Sequence, residues 1–300
     1  MTVSFFIATL VYYLTNTPHS FKKMISIQNL HFAYKKKKVF DGLNIYFKPG
    51  YIYGLLGKNG TGKSTLLNNI AGLLFPQSGT VKVFGLVPGK RQPAFLQDIF
   101  IVPEEFYLPD ISIHQLIKYN APFYPKFNLT DFDNYLELFE IPKDSKLQAL
   151  SYGQRKKVLI SFGLATNVSL LLMDEPTNGL DIIGKSQVRK IIAGAFNEEK
   201  CIIISSHQVK DLENLIDRVT IIDDGKIVLD ESTMAIAEKL AFKISFDSAE
   251  LNWAIYSEPM LRGNAIVAVN ADGEENKIDL ELLYKATVAN PKIIRSIFNA

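Results

Sequence analysis

The chain is short of several things, and each shortage excludes a class of protein. Its 300 residues include one cysteine, Cys201, so no disulfide framework can form within it, which suits a reducing compartment. Cys201 heads the apolar run CIIIS and reads as a small core residue. No helix start or histidine cluster stands nearby to make it reactive. No apolar run reaches the ~20 residues that a bilayer-spanning helix needs. Val3 to Leu14 is apolar over only a dozen residues and lacks the basic residue that precedes a secretory signal core. The longest other run, Val158 to Met173, is broken by Ser161, Thr166, Asn167 and Ser169. A channel or permease formed by this chain alone is thereby excluded. Charge of one sign is missing as well: the net charge is +2, with no global pull toward nucleic acid or an anionic membrane. The lysine run Lys35 to Lys38 reads as a solvated hairpin tip. There is no internal repeat, no long low-complexity tract and no heptad run.

What is present is a hydrophobic content of 47%, ample for a packed core. Met24 opens a credible strand, MISIQNLHFAY, so residues 1–23 read as a dispensable extension or mis-set start, with interfacial membrane contact as the alternative. Short alternating strands follow as far as Tyr53, separated by the turn signals YKKKK and FKPG. YIYGLL then runs as a buried strand into a glycine-rich loop and the helix KSTLLNNIAGLL. From Pro103 to Ala149 the character turns helical and aromatic, with Ser112 and Gln115 forming a capping-box start. The continuous apolar runs LLLMDE, CIIISS and VTIIDD alternate with helices, which predicts a mainly parallel sheet buried on both faces. After the helix TMAIAEKL come a strand FKISF, another near AIVAVN, a Gly-Glu-rich turn and one long helix, DLELLYKATVANPKIIRSIF. Residues 241–300 thus read as a small α+β appendage.

Two motifs carry the chemistry. GKNGTGKST, Gly57 to Thr65, fits G-x-x-x-x-G-K-[ST] between a buried strand and a helix, where that loop must sit. Gly57, Gly60 and Gly62 let successive N–H groups turn inward, and the helix N-terminus adds its positive dipole end. Lys63 can reach the β- and γ-phosphates and the Ser64 hydroxyl can ligate Mg²⁺. The cofactor-binding positions in this loop are Gly57, Asn59, Gly60, Thr61, Gly62, Lys63, Ser64 and Thr65. In LLLMDEPTNGLD, a buried strand projects Asp174 to where it can hold Mg²⁺ through water. Glu175, one residue on, can orient or deprotonate an attacking water. His207 ends the run CIIISSH beside the expected γ-phosphate.

Together with LSYGQ at Leu150 to Gln154, these residues resemble the ATP-binding subunit of ABC transporters over about residues 24–230. The order matches that family: aromatic, Walker A, Q-loop, signature, Walker B, D-loop, histidine. The resemblance implies a P-loop α/β fold: a mainly parallel core sheet, an antiparallel β-subdomain and a helical subdomain at about 103–165. The ATPase domain would span 24–235. The resemblance places Tyr34 against adenine, with Phe32 as the competing aromatic, and makes Asp181 the D-loop aspartate. It assigns Ser151, Gly153 and Gln154 to the γ-phosphate of a partner's ATP, and Glu104 to the Q-loop, where it can ligate Mg²⁺ or its water. Catalysis would fall to Glu175, His207 and Lys63, and metal binding to Ser64, Glu104 and Asp174. Two positions depart from the pattern: Tyr152 replaces a signature glycine, and Glu104 replaces glutamine. Both bear on turnover and coupling rather than on ATP binding.

The implied partners are a separate transmembrane permease and a second ATPase subunit, identical or not, with no nucleic acid. The implied place is the cytoplasmic face of the membrane, and the implied work is export. A soluble ABC ATPase acting on ribosomes or DNA is the alternative. It usually carries two nucleotide domains, or a long coiled coil for which the stretch from Lys63 to Ser151 has no room. A GTPase switch is suggested only by the strings DIIG (Asp181 to Gly184) and NKID (Asn276 to Asp279), the second of which does not follow a buried strand.

Overall fold

The computed structural model describes residues 24–271, 273 and 276–298; the reading of residues 1–23 lies outside them. The chain opens on a hairpin, β1 (Ile25–Tyr34) and β2 (Lys37–Phe47), turning at Lys35 and Lys36 as the charge run predicts. With β4 (Ser78–Val83) these strands form an antiparallel sheet in the order β2-β1-β4. The main sheet has six strands in the order β5-β6-β7-β3-β8-β9: β3 (Tyr51–Leu56), β5 (Ile99–Val102), β6 (Leu170–Asp174), β7 (Cys201–Ser206), β8 (Arg218–Asp223) and β9 (Lys226–Ser232). Its pairings are parallel except that of β8 with β9.

The apolar runs are strands buried on both faces, and the period of two shows which residue serves which face. From β6, Leu170 and Leu172 join a cluster with the hairpin sheet and Leu66, Leu67 and Ile70 of the loop helix (Lys63–Ile70). Leu171 and Met173 face the opposite cluster, with the helical region. Cys201 and Ile203 of β7 split from Ile202 and Ile204 in the same way. Cys201 is fully buried, and burial pushes its thiol far up, so it is inert as expected.

The helical region holds the helices Ile113–Asn120, Leu129–Leu138 and Tyr152–Ala165, the last being the signature helix. Ser112 makes the expected capping box with Gln115. Phe127 and Phe132 pack on Phe162 with ring centroids 5.1 and 6.2 Å away. Among the described residues no helix is long and apolar enough to cross a membrane.

The C-terminal segment differs from expectation in two details. A third strand, β11 (Tyr256–Pro259), joins β10 (Leu240–Ser245) and β12 (Asn264–Val269) in the order β10-β12-β11. The single long helix is two, Leu280–Ala289 and Pro291–Phe298, because proline has no N–H to continue the first and disfavours helix at Asn290. Val267, Leu283 and Ile294 belong to the same apolar cluster as Ile221 and Leu229 of β8 and β9.

Candidate functional site

The loop after β3 folds as its glycines require. Gly60 and Gly62 have φ of 83° and 108°, in the left-handed region that L side chains avoid, and Gly62 caps the loop helix. At Gly57 the requirement is space: a Cβ would stand 2.6 Å from Thr61 Oγ1 and from the Ile222 carbonyl. The loop borders a cleft of about 290 Å³ walled by Tyr34, Lys37, Val39, Asn59, Gly60, Gly62, Lys63, Ser64, Thr65, Glu104 and Glu175. Most of the predicted nucleotide positions therefore meet in one wall. Phe32 is buried, edge-on to Tyr34 with centroids 4.9 Å apart, so Tyr34 is the aromatic that faces the cleft.

Behind this wall stands a bonded layer. Lys63 Nζ donates to the carbonyls of Gly57 at 2.7 Å and Lys58 at 3.2 Å, and lies 3.6 Å from Glu175 Oε1. Thr61 turns its hydroxyl back to the Lys58 carbonyl. Glu175 Oε1 accepts from the His207 backbone N–H at 2.9 Å, and His207 Nδ1 lies at the same distance, out of line for a hydrogen bond. Asp174, buried at the end of β6, accepts from the Ser205 hydroxyl. Lys63, Asp174 and Glu175 are almost fully buried, so their charges act on one another and on a ligand with little screening by water.

The signature residues lie apart from this cleft. Ser151 caps the signature helix: its Oγ accepts from Gln154 N–H at 3.2 Å, and Gln154 Oε1 accepts from Ser151 N–H at 3.0 Å. The Ser151 hydroxyl proton remains to donate elsewhere, and a helix start leaves the Gly153 N–H without an intrahelical acceptor. Asp181 caps the helix Ile182–Ala195 through the Gly184 N–H. That accounts for DIIG. In NKID, Asn276 Nδ2 donates to the carbonyls of Ala237 and Leu240, and Asp279 caps the helix Leu280–Ala289. Both strings are structural.

Four residues of the site are absent from the sequence reading. Lys37 lines the cleft because hairpin register sets it opposite Tyr34; it belonged to a run read as solvated. Ser205 is one of two hydroxyls ending an otherwise apolar strand, a signal that was there to see. Lys156 is fully buried, and its Nζ donates to the carbonyls of Glu175 at 2.7 Å and Asn178 at 3.1 Å. Burial holds its ammonium below the usual lysine value. Asn178 Nδ2 donates to Glu104 Oε1 at 3.0 Å. Nothing in a basic tail or a turn announces these last two contacts.

A glycine-rich loop between a buried parallel strand and a helix, with a carboxylate pair at the end of the next-but-one strand of the same sheet, defines a P-loop nucleoside triphosphatase. The chain belongs to the ABC transporter ATP-binding proteins. The family described as ABC transporter matches residues 40–178. The ABC transporter ATP-binding protein YtrB of Bacillus subtilis is 30% identical over 288 residues, covering 92% of this chain and 97% of that protein. The linearmycin resistance ATP-binding protein LnrL of the same organism is 33% identical over 212 residues, 68% of each chain. Among solved structures, cbiO1 from Clostridium perfringens, part of the complex cbiONQ, aligns with a TM-score of 0.60 at 28% identity, covering 70% of this chain and 88% of that one. The chain is thus the ATP-binding, ATP-hydrolysing subunit of an ABC transporter.

Proposed function

We propose that this subunit powers export through a separate membrane permease, working as one of two ATPase subunits that close head to tail on two ATP molecules. The observation that carries the dimer is the separation described above. Ser151 and Gly153 present a free hydroxyl proton and a helix-start N–H, yet neither belongs to the wall of its own chain's cleft. They would cap the γ-phosphate held by the other subunit, as Gln154 holds Ser151 in place, with Asp181 contributing to the same site. Export is supported by the relatives named for linearmycin resistance and bacitracin transport. No role on nucleic acid follows from either feature.

In this reading residues 24–235 are the ATPase domain, 103–165 its helical subdomain and 241–300 an accessory unit. The permease would dock where the helical region meets the main sheet. An apolar groove of about 490 Å³ there is lined by Leu73, Leu96, Phe100, Ile101, Phe123 and Tyr124, with Phe123 and Leu73 exposed. Docking would hold the chain at the cytoplasmic face of the membrane.

Tyr34 stacks on adenine, and Asn59, Gly60, Thr61, Gly62 and Thr65 shape the phosphate loop. Lys63 turns from the loop carbonyls to the β- and γ-phosphates. The Ser64 hydroxyl and the Asp174 carboxylate are hard oxygen donors, and no cluster of three or more His, Cys, Asp or Glu among the described residues forms a metal cage. That donor set fits Mg²⁺ arriving with the nucleotide, held by one or two protein oxygens plus phosphates, with Glu104 within reach through water. Bound there, Mg²⁺ would neutralise charge on the β- and γ-phosphates. Glu175 takes the proton of a water as its oxygen bonds to the γ-phosphorus and the bond to the β–γ bridging oxygen breaks, giving ADP and phosphate. His207 keeps the Glu175 carboxylate on that water.

Glu175→Gln tests this. ATP binding should persist, hydrolysis should fall about 100-fold or more, and light scattering should show an ATP-dependent dimer. Hydrolysis at the unmutated rate would sink the role of Glu175, and a mass that stays monomeric with ATP would sink the dimer.

A further inference from the structure

Tyr152, which stands where the family usually has glycine, reaches across three segments. Its hydroxyl donates to the Glu104 carbonyl at 3.0 Å, and its ring stacks on Phe106 with centroids 5.3 Å apart and planes 25° from parallel. On the side of Gly179 the ring packs closely on the backbone, 3.3 Å from where a Cβ would stand. Burial and the nearby Glu104 and Glu105 raise the phenol above its usual value, so it remains a donor at physiological pH.

Glu104 is gripped a second time, because its carboxylate accepts from Asn178 Nδ2 at 3.0 Å. The carbonyl of Asn178 is in turn taken by Lys156, one helical turn beyond Tyr152 on the same face. The circuit is closed: Tyr152 to Glu104, Glu104 to Asn178, Asn178 to Lys156, and back along the signature helix. Glu104 also belongs to the wall of the chain's own nucleotide cleft. A displacement of Glu104 by nucleotide is therefore passed through Tyr152 to its immediate neighbours Ser151 and Gly153.

We propose that Tyr152 is a positioning residue that couples the two composite sites of the dimer: ATP in a chain's own cleft sets that chain's Ser151 and Gly153 to cap the partner's ATP. This rests on the dimeric reading given above. A glycine at 152 has neither the hydroxyl nor the ring, so this route is particular to a signature carrying tyrosine.

The test measures ATP hydrolysis by the full chain against Mg-ATP concentration. The unmutated protein should show a Hill coefficient approaching the limit of about 2 for two coupled sites. Tyr152→Phe keeps the ring stack and removes only the donor. Its Hill coefficient should fall toward 1, with half-saturation rising about fivefold, the equivalent of one hydrogen bond. Binding of a non-hydrolysable ATP analogue to dilute, monomeric chain should change far less than half-saturation of hydrolysis does, because Tyr152 meets the cleft only through Glu104 and the partner's site is absent. Asn178→Ala cuts the circuit at the other grip on Glu104 and should also lower the Hill coefficient, so it decides the matter should Tyr152→Phe misfold. A lower rate at every ATP concentration with cooperativity intact in both variants means a purely structural role and overturns the proposal. So does a non-cooperative unmutated protein whose Glu175→Gln form dimerises with ATP. Absence of that ATP-dependent dimer overturns the dimeric reading itself, and the coupling with it.

Discussion

Glu175 sits on a backbone conformation that a residue with a Cβ rarely adopts. Its φ is +47°, a left-handed conformation costing about 1–2 kcal/mol for a residue with a Cβ. The surroundings hold it there: its N–H donates to the Ser205 carbonyl at 3.2 Å and hydroxyl at 3.1 Å, while Lys156 takes its carbonyl. The twist leaves the carboxylate between Lys63 and His207. Motif spacing names Glu175 because its neighbours in sequence are its neighbours in the motif. It cannot name Ser205 or Lys156, which arrive from other elements. Glu104 is the second residue where chemistry turns on a local detail. Glu104→Gln keeps an oxygen for the Asn178 amide and removes a negative charge from the cleft wall. Because Glu104 lines the cleft, this position should bear on binding as well as on the turnover and coupling expected from the sequence: ATP should bind about two- to fivefold tighter at low salt and less so at high salt. Calorimetric titration at two ionic strengths checks this, and equal or weaker binding would refute the electrostatic reading.

At the scale of elements, S-x-x-Q recurs with two uses. Ser112 and Gln115 start a helix away from the nucleotide cleft, whereas Ser151 and Gln154 build the same box at the helix that carries the signature. The local chemistry is identical, so the pattern predicts a helix start in both places and a function in neither. Ser112→Ala should cost about 1 kcal/mol of stability in denaturant titration and leave ATP hydrolysis alone. Lys156→Met should do more, since the carbonyls of Glu175 and Asn178 lose a buried donor at about 1–3 kcal/mol each. Hydrolysis should fall with stability, and an unaffected rate would show that the grip on the Glu175 carbonyl is idle. The elements that sequence missed have equally local reasons. β11 is four residues, YSEP, polar and ending in proline; it is paired on one side only, by β12. The split of the last helix lay in plain view at Pro291.

Across the whole molecule, the C-terminal segment shares the ATPase's core. Leu283 is fully buried in the cluster that contains Ile221 and Leu229. Ion pairs join Lys210, just past His207, to Glu281 at 3.2 Å, and Lys277 to Glu213 at 3.9 Å, exposed pairs of small energetic weight. Leu283→Ala should therefore cost about 2–5 kcal/mol and lower one unfolding transition for the entire chain, followed by tryptophan fluorescence and far-ultraviolet circular dichroism together. Two separable transitions, with only the later residues affected, would mean an independent appendage. Hydrophobic periodicity and motif spacing alone sufficed for the parallel sheet, the phosphate loop and the strand-end position of Asp174 and Glu175, because each depends on residues close in sequence. Folding was needed to put Lys37 into the cleft wall, bury Lys156 beneath the carboxylate pair and join Tyr152 to Glu104. Those contacts depend on register and packing between segments tens of residues apart, and no local pattern encodes the distance between them.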